Sequence, residues 1–131
     1  MKKLLLLSEG VFFKINEIEV GEEIELETYY KALDCEHIDI VDPYGLDEDG
    51  IKKYCLIVDD EAMLKESPEI NFFGSLLYGV LKHNQPIAGK VLVGNKKYTE
   101  DGIYTVGLEE EDVKYVLEIL KKIRKDLIKK A

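Results

Sequence analysis

The sequence has a single arginine, Arg124, among 18 basic residues, against 27 acidic ones. The planar fork that grips phosphate or carboxylate bidentately is therefore almost missing. The net charge of -9 also repels polyphosphate backbones. Direct nucleic-acid binding is not expected, and basic partners, bound cations or plain solubility are favoured instead. Any anion site would have to rely on lysines, backbone N–H groups or hydroxyls. Cysteine is scarce too. Cys35 and Cys55, with no secretory signal, read as free thiols of a reducing cytoplasm and not as a disulfide framework. The opening "MKKLLLLSEG" has the lysines and leucines of a signal peptide, but its apolar run stops at Leu7 and no small-residue cleavage site follows. No stretch approaches the ~18 apolar residues of a membrane span. A cytoplasmic protein that does not enter a membrane is expected.

What is present is enough for one core. A hydrophobic share of 46% in 131 residues argues against disorder and fits a single domain spanning residues 1–131. "KKLLLL" and "VFFKI" flank Ser8-Glu9-Gly10 and suggest a hairpin. The unbroken leucines point to a strand covered on both faces. Residues 22–33 place Leu26, Tyr29, Tyr30 and Leu33 at helical spacing, with Glu22 and Glu23 in the first turn. "EHIDIVD" alternates as a short strand with Ile38 and Ile40 on its apolar face, and "KKYCLIVDD" is the clearest interior strand. Residues 71–81 read as a helix, with Phe72, Leu76, Leu77 and Val80 on one face. Residues 86–95 read as a strand ending in a turn, and "YTEDGIYTVGL" as a further strand after an Asp101-Gly102 turn. The final helix, residues 109–129, carries one apolar stripe of Val113, Val116, Leu117, Leu120, Ile123 and Leu127. "EEED" opens it and lysines close it, in the order that the helix dipole favours. Strands and helices alternate without βαβ spacing. The expected fold is α+β, with a mixed or mainly antiparallel sheet, helices on one face and a long C-terminal helix.

Residues able to do chemistry are few. Cys35 and His37, two apart on a strand, would share a side and could form an activated thiol. No Gly-rich nucleophile turn, orienting third residue or oxyanion signature accompanies them, so a half-exposed strand face is the plainer reading. Cys35, His37, Cys55 and His83 lack the paired short spacing of a zinc site. Asp47-Glu48-Asp49-Gly50 lacks the ligand periodicity of a calcium loop. No metal or cofactor is expected. Asn71, at the start of a helix, could leave N–H groups free for an anion, but the plainer role is to cap them itself. "GNKKYTEDG" reads as a loop able to hold an anion or a flat ring.

Four stretches together carry a resemblance: "YYKALDCEHIDIV", "CLIVDDEAMLKESPEIN", "PIAGKVLVGN" and "GLEEEDVKYVLEIL". They resemble an uncharacterised family of small proteins carried by phages, plasmids and conjugative elements of low-GC bacteria. In that family a strand runs into an acidic turn, a Pro-Asn pair and an "I-x-G" strand. The sequence departs from it at Ala62, where the family has glycine, in the two residues between Pro68 and Asn71, and in the enlarged "FFGSLLYGVLKHNQ" helix. The resemblance implies an accessory protein of a mobile element and supplies no reaction. The expected function is therefore non-enzymatic. The protein would counter host defence by stoichiometric binding, either sequestering a small signalling nucleotide or blocking a host defence protein with its acidic surface. The expected pocket lies near residues 67–78 and 94–98, with Asn71, Tyr78, Lys90, Asn95, Lys97 and Tyr98 as ligand-binding residues. The alternatives are a small hydrolase or transferase using Cys35/His37 or carboxylates, and a plain protein-interaction module. The charged C-terminal helix and the "INFF" aromatics leave room for a homo-oligomer.

Overall fold

Every residue from Tyr54 to Val58 is buried, and successive side chains of a strand point to opposite faces. Such a strand must be covered on both sides, and the whole architecture follows from that. The computed structural model describes residues 2–10, 14–46, 53–79 and 85–130, with the side chains of 127–130 excepted. Among these residues the elements are β1 (Lys2–Leu7), β2 (Ile15–Val20), α1 (Leu26–Leu33), β3 (Ile38–Val41), β4 (Tyr54–Asp59), a 3-10 turn (Ala62–Leu64), α2 (Phe72–Tyr78), β5 (Val91–Thr99), β6 (Gly102–Val106) and α3 (Glu110–Lys130).

The strands form one sheet in the order β2-β1-β5-β4-β3. All strand pairings are antiparallel. The long β5 is the hub. One of its edges pairs with β4 from Val91 to Asn95, with Tyr54 opposite Asn95 and Val58 opposite Val91. Its other edge is shared: β1 takes Val91 to Val93 and β6 takes Asn95 to Thr99. The α+β class, the antiparallel sheet and the long C-terminal helix are as expected.

The helices do not lie on one face. Leu5, Leu7, Leu56, Val58, Val91 and Val93 pack against Phe73 and Leu77 of α2 and against Val113, Val116 and Leu120 of α3. Leu4, Cys55, Ile57 and Leu92 point the other way, onto Tyr29 and Leu33 of α1. The reason is the unbroken apolar run of β4 and β1. Each fully buried leucine or isoleucine contributes roughly 1.5–3 kcal/mol only if something covers it, so both faces need a lid.

Local departures are equally physical. The hairpin partner of β1 is "INEIEV", not "VFFKI"; residues 11–13 lie outside the described segments. The alternating glutamates of β2 suit the sheet edge that it occupies. Helix α1 starts at Leu26, so Glu22 and Glu23 precede it and Glu27 is the acid of its first turn. Helix α2 ends at Tyr78, where Gly79 takes the left-handed cap conformation with φ 93°. Strand β5 does not turn at Asn95. It continues to Thr99 because β6 pairs its second half.

Candidate functional site

The stretch after β4 is organised around Asn71, which is fully buried. Its side-chain Oδ1 accepts from the Gly74 N–H at 2.7 Å, capping α2. Its Nδ2 donates to the Leu7 carbonyl at 3.1 Å and to the Gly89 carbonyl at 2.9 Å. Its backbone N–H donates to Ile87 at 2.8 Å. One amide thus ties the end of β1, the start of α2 and the Ile87-Ala88-Gly89 segment into a knot. Ser75 adds a second tie, its Oγ donating to the Ile87 carbonyl at 3.2 Å and accepting the Ile87 N–H at 2.8 Å. The capping role expected of Asn71 is observed, and it leaves the side chain no free polar atom for a ligand.

This knot supports a cleft at the β3 edge of the sheet. The cavity is about 250 Å³ and is lined by residues that include Asp39, Val41, Val58, Asp59, Asp60, Ala62, Met63, Tyr78 and the segment 85–88. Val58, Ala62, Ile87 and Ala88 are buried apolar residues. The rim is acidic. Asp59 is already engaged: its Oδ1 accepts from the Glu61 N–H at 2.9 Å and its Oδ2 stands 3.6 Å from Lys65 Nζ. Asp39 Oδ1 accepts the N–H of its neighbour Ile40, at 2.8 Å. Asp60 is exposed. No lysine or arginine is among the described residues that line the cleft.

The six expected ligand residues do not share this site. Tyr78 lines the cleft. Asn71 belongs to the knot. Lys90 is half-buried just ahead of β5. Lys97 and Tyr98 are exposed on β5, which is a strand there and not a loop. Lys97 lines a separate groove of about 560 Å³ whose lining includes Glu22, Glu23, Thr99 and Tyr104. Asn95 is buried beneath α3, where its Nδ2 donates to Asp112 Oδ2 at 2.7 Å.

Asp112 is the centre of a second buried polar cluster. Its carboxylate also accepts from Tyr54 Oη at 3.1 Å, Lys53 Nζ at 2.7 Å and the Glu109 N–H at 3.2 Å. The Glu109 contact is the reciprocal half of a capping box at the start of α3. Burial pushes the Asp112 carboxyl pKa up, but Lys53, Asn95, the Glu109 amide and Tyr54 together outweigh it and leave it below the ordinary range. Asn95 Oδ1 is buried with no hydrogen-bond partner among the described residues. This cluster anchors α3 to β4 and β5.

Cys35 and His37 precede β3 instead of lying on it, so strand alternation does not bring them together. Burial raises the Cys35 thiol pKa and the nearby Asp59 charge raises it further, against a weaker lowering by the His37 amide. That is the opposite of an activated thiolate. His37 lies 3.7 Å from Glu61. Both cysteines are free thiols. No group of three or more His, Cys, Asp or Glu among the described residues could hold a metal ion, and His83 and residues 47–50 lie outside them. No helix among the described residues is long and apolar enough to cross a membrane.

Asp59 and Asp60 stand out in the sequence as a polar step after a buried strand. Asp39 and the segment 85–88 do not, because only the β3–β4 register, with Asp39 opposite Val58, and the Ser75–Ile87 tie bring them to the same place. The acidic turn, the asparagine and the "I-x-G" segment of the resemblance are thus the parts of one knot and its cleft. The sequence model of a family described as a domain of unknown function (DUF3846) matches residues 1–121. No curated protein and no solved structure matches the chain. A match over nearly the whole length places this chain in the DUF3846 family.

Proposed function

We propose that the protein is a non-enzymatic accessory protein of a phage or other mobile element, acting in the host cytoplasm. It counters host defence by stoichiometric binding of a host protein. The observation that carries this reading is the cleft beside the Asn71 knot. It is concave, apolar at its floor and rimmed by Asp39, Asp59 and Asp60. Small-molecule sites usually occupy about 300–1,000 Å³. A cavity of about 250 Å³ suits part of a larger partner better than a whole nucleotide. Its charge sign points the same way, because a carboxylate rim repels phosphate and attracts basic groups.

Sequestration of a signalling nucleotide is the second form of the reading. Its support is the larger groove beside Lys97 and Tyr104, which is of ligand size. Glu22 and Glu23 in the same lining weaken it as a phosphate site. The enzymatic alternative is disfavoured by the raised Cys35 pKa and by the engagement of Asp59 and Asp112 in structural hydrogen bonds.

The test is co-purification from a low-GC bacterial host, followed by intact-mass analysis of whatever is retained. The expected result is a basic host protein at fixed stoichiometry, released unaltered, and better phage plating in cells that make the chain. Isothermal titration against a panel of cyclic nucleotides is expected to give flat heats. A nucleotide that binds at one site per chain would replace the protein-partner form with the nucleotide form, and catalytic turnover would end both.

A further inference from the structure

We infer that the acidic cleft receives a single arginine side chain, presented on a short basic segment of the partner protein. This rests on the binding reading above and specifies its chemistry. The cavity, about 250 Å³, is the size of a side chain and not of a folded element. Its lining combines apolar and acidic residues, as an arginine combines an aliphatic stem and a cationic head. The buried floor of Val58, Ala62, Ile87 and Ala88 matches the aliphatic stem, and the Asp39 and Asp60 rim matches the cationic head. Asp39 has an oxygen beyond the one its neighbour's amide uses, and Asp60 is exposed at the rim. Lys65, on the turn that follows the cleft's acidic step, is paired with Asp59. Arginine fits better than lysine because its planar guanidinium can fork a carboxylate bidentately.

The surroundings suit a peptide segment. Met63 and Leu64, 46% and 82% exposed, stand on the turn beside the cleft and would cover apolar neighbours of the arginine. β3 is the last strand of the sheet and flanks the cleft through Asp39 and Val41. The cleft is also preformed. The Asn71 and Ser75 hydrogen bonds hold the segment 85–88 against α2, so little ordering is needed on binding.

The experiment is a two-dimensional NMR titration of the labelled full-length chain with N-acetylarginine amide. N-acetyllysine amide and N-acetylnorleucine amide serve as comparison probes. The expected result is saturable shifts confined to the amides of Asp60, Ala62, Met63, Tyr78 and Ala88, weaker with the lysine probe and absent with norleucine. In an Asp39→Asn/Asp60→Asn double variant the arginine affinity falls roughly tenfold or more, because the charge-assisted hydrogen bonds are lost. Both side chains are exposed, so the variant keeps the wild-type spectrum elsewhere. Absent shifts, shifts scattered over the acidic surface, or equal affinity in the double variant would overturn the inference. If the probe fails while the double variant still loses the captured host protein, the arginine assignment falls and the binding reading stands. If the probe binds as expected while no host protein is captured, the cleft chemistry stands and the proposed function falls.

Discussion

At the scale of single residues, two buried amino acids carry more of this structure than their size suggests. Asn71 satisfies two carbonyls and one amide, and its bonds with the Leu7 carbonyl and the Gly74 amide are buried. Asn71→Ala removes a helix cap, worth about 1 kcal/mol, and orphans buried carbonyls at roughly 1–3 kcal/mol each. The expected loss is about 3 kcal/mol by urea denaturation; a loss below about 1 kcal/mol would contradict the role given to the knot. Asp112 makes a pH-dependent contribution. Its folded pKa lies below the ordinary 3.8, so its contribution is complete above that value and is lost as pH falls through the folded pKa. Stability curves of the wild type and Asp112→Asn therefore converge as pH falls below 3.8 and stay parallel above it. Curves that stay parallel down to pH ~2 would remove Asp112 from the acid response. The capping role of Asn71 was legible from its place before an apolar helical pattern. Its other two partners were not, since Leu7 is 64 residues away and Gly89 is 18.

At the scale of elements, the sequence carried the strands and helices well and their arrangement poorly. Apolar periodicity located β4, α3 and the core of α1. The terminal glycine of α2 and the glutamate-rich alternation of β2 were readable only once tertiary pairing said where the chain had to stop or start. β5 shows why. "GNKKYT" has the composition of a loop, and it is a strand because β6 zips onto it. The covering of both faces was implied by the five consecutive buried residues of β4, yet nothing local said that α1 and α3 would take opposite sides. Close approach of α2 to the sheet gives a test at this scale. A Cβ on Gly74 would lie 2.7 Å from Val91 Cγ2 and 3.0 Å from Asn71 Oδ1. Gly74→Ala should gain about 1 kcal/mol of helix propensity but lose more to overpacking, typically 1–3 kcal/mol. The expected net effect is a lower urea midpoint than wild type. A higher midpoint would mean that α2 is free to lift from β5.

At the scale of the whole molecule, the excess of carboxylates is the property that a partner would meet first. Charge sets encounter rate and salt sensitivity more than it sets affinity. Capture of the partner should therefore weaken as salt rises from about 0.05 to 0.5 M, where the screening length shortens to a few ångströms. Salt-independent capture would point to an apolar interface elsewhere, such as the exposed Tyr98, Ile103 and Tyr104 on the β5–β6 hairpin. The cleft was only half visible in the sequence. Its acidic turn could be read there, but its opposite wall, the segment 85–88, is brought in by Asn71 and Ser75. The most direct test is native mass spectrometry of the chain purified from a low-GC bacterial host, beside its Asp39→Asn/Asp60→Asn variant. The prediction is a complex of fixed stoichiometry with an unaltered basic protein, abundant for the wild type and depleted for the variant. Equal complexes in both samples, no complex in either, or a partner returned chemically changed would contradict it.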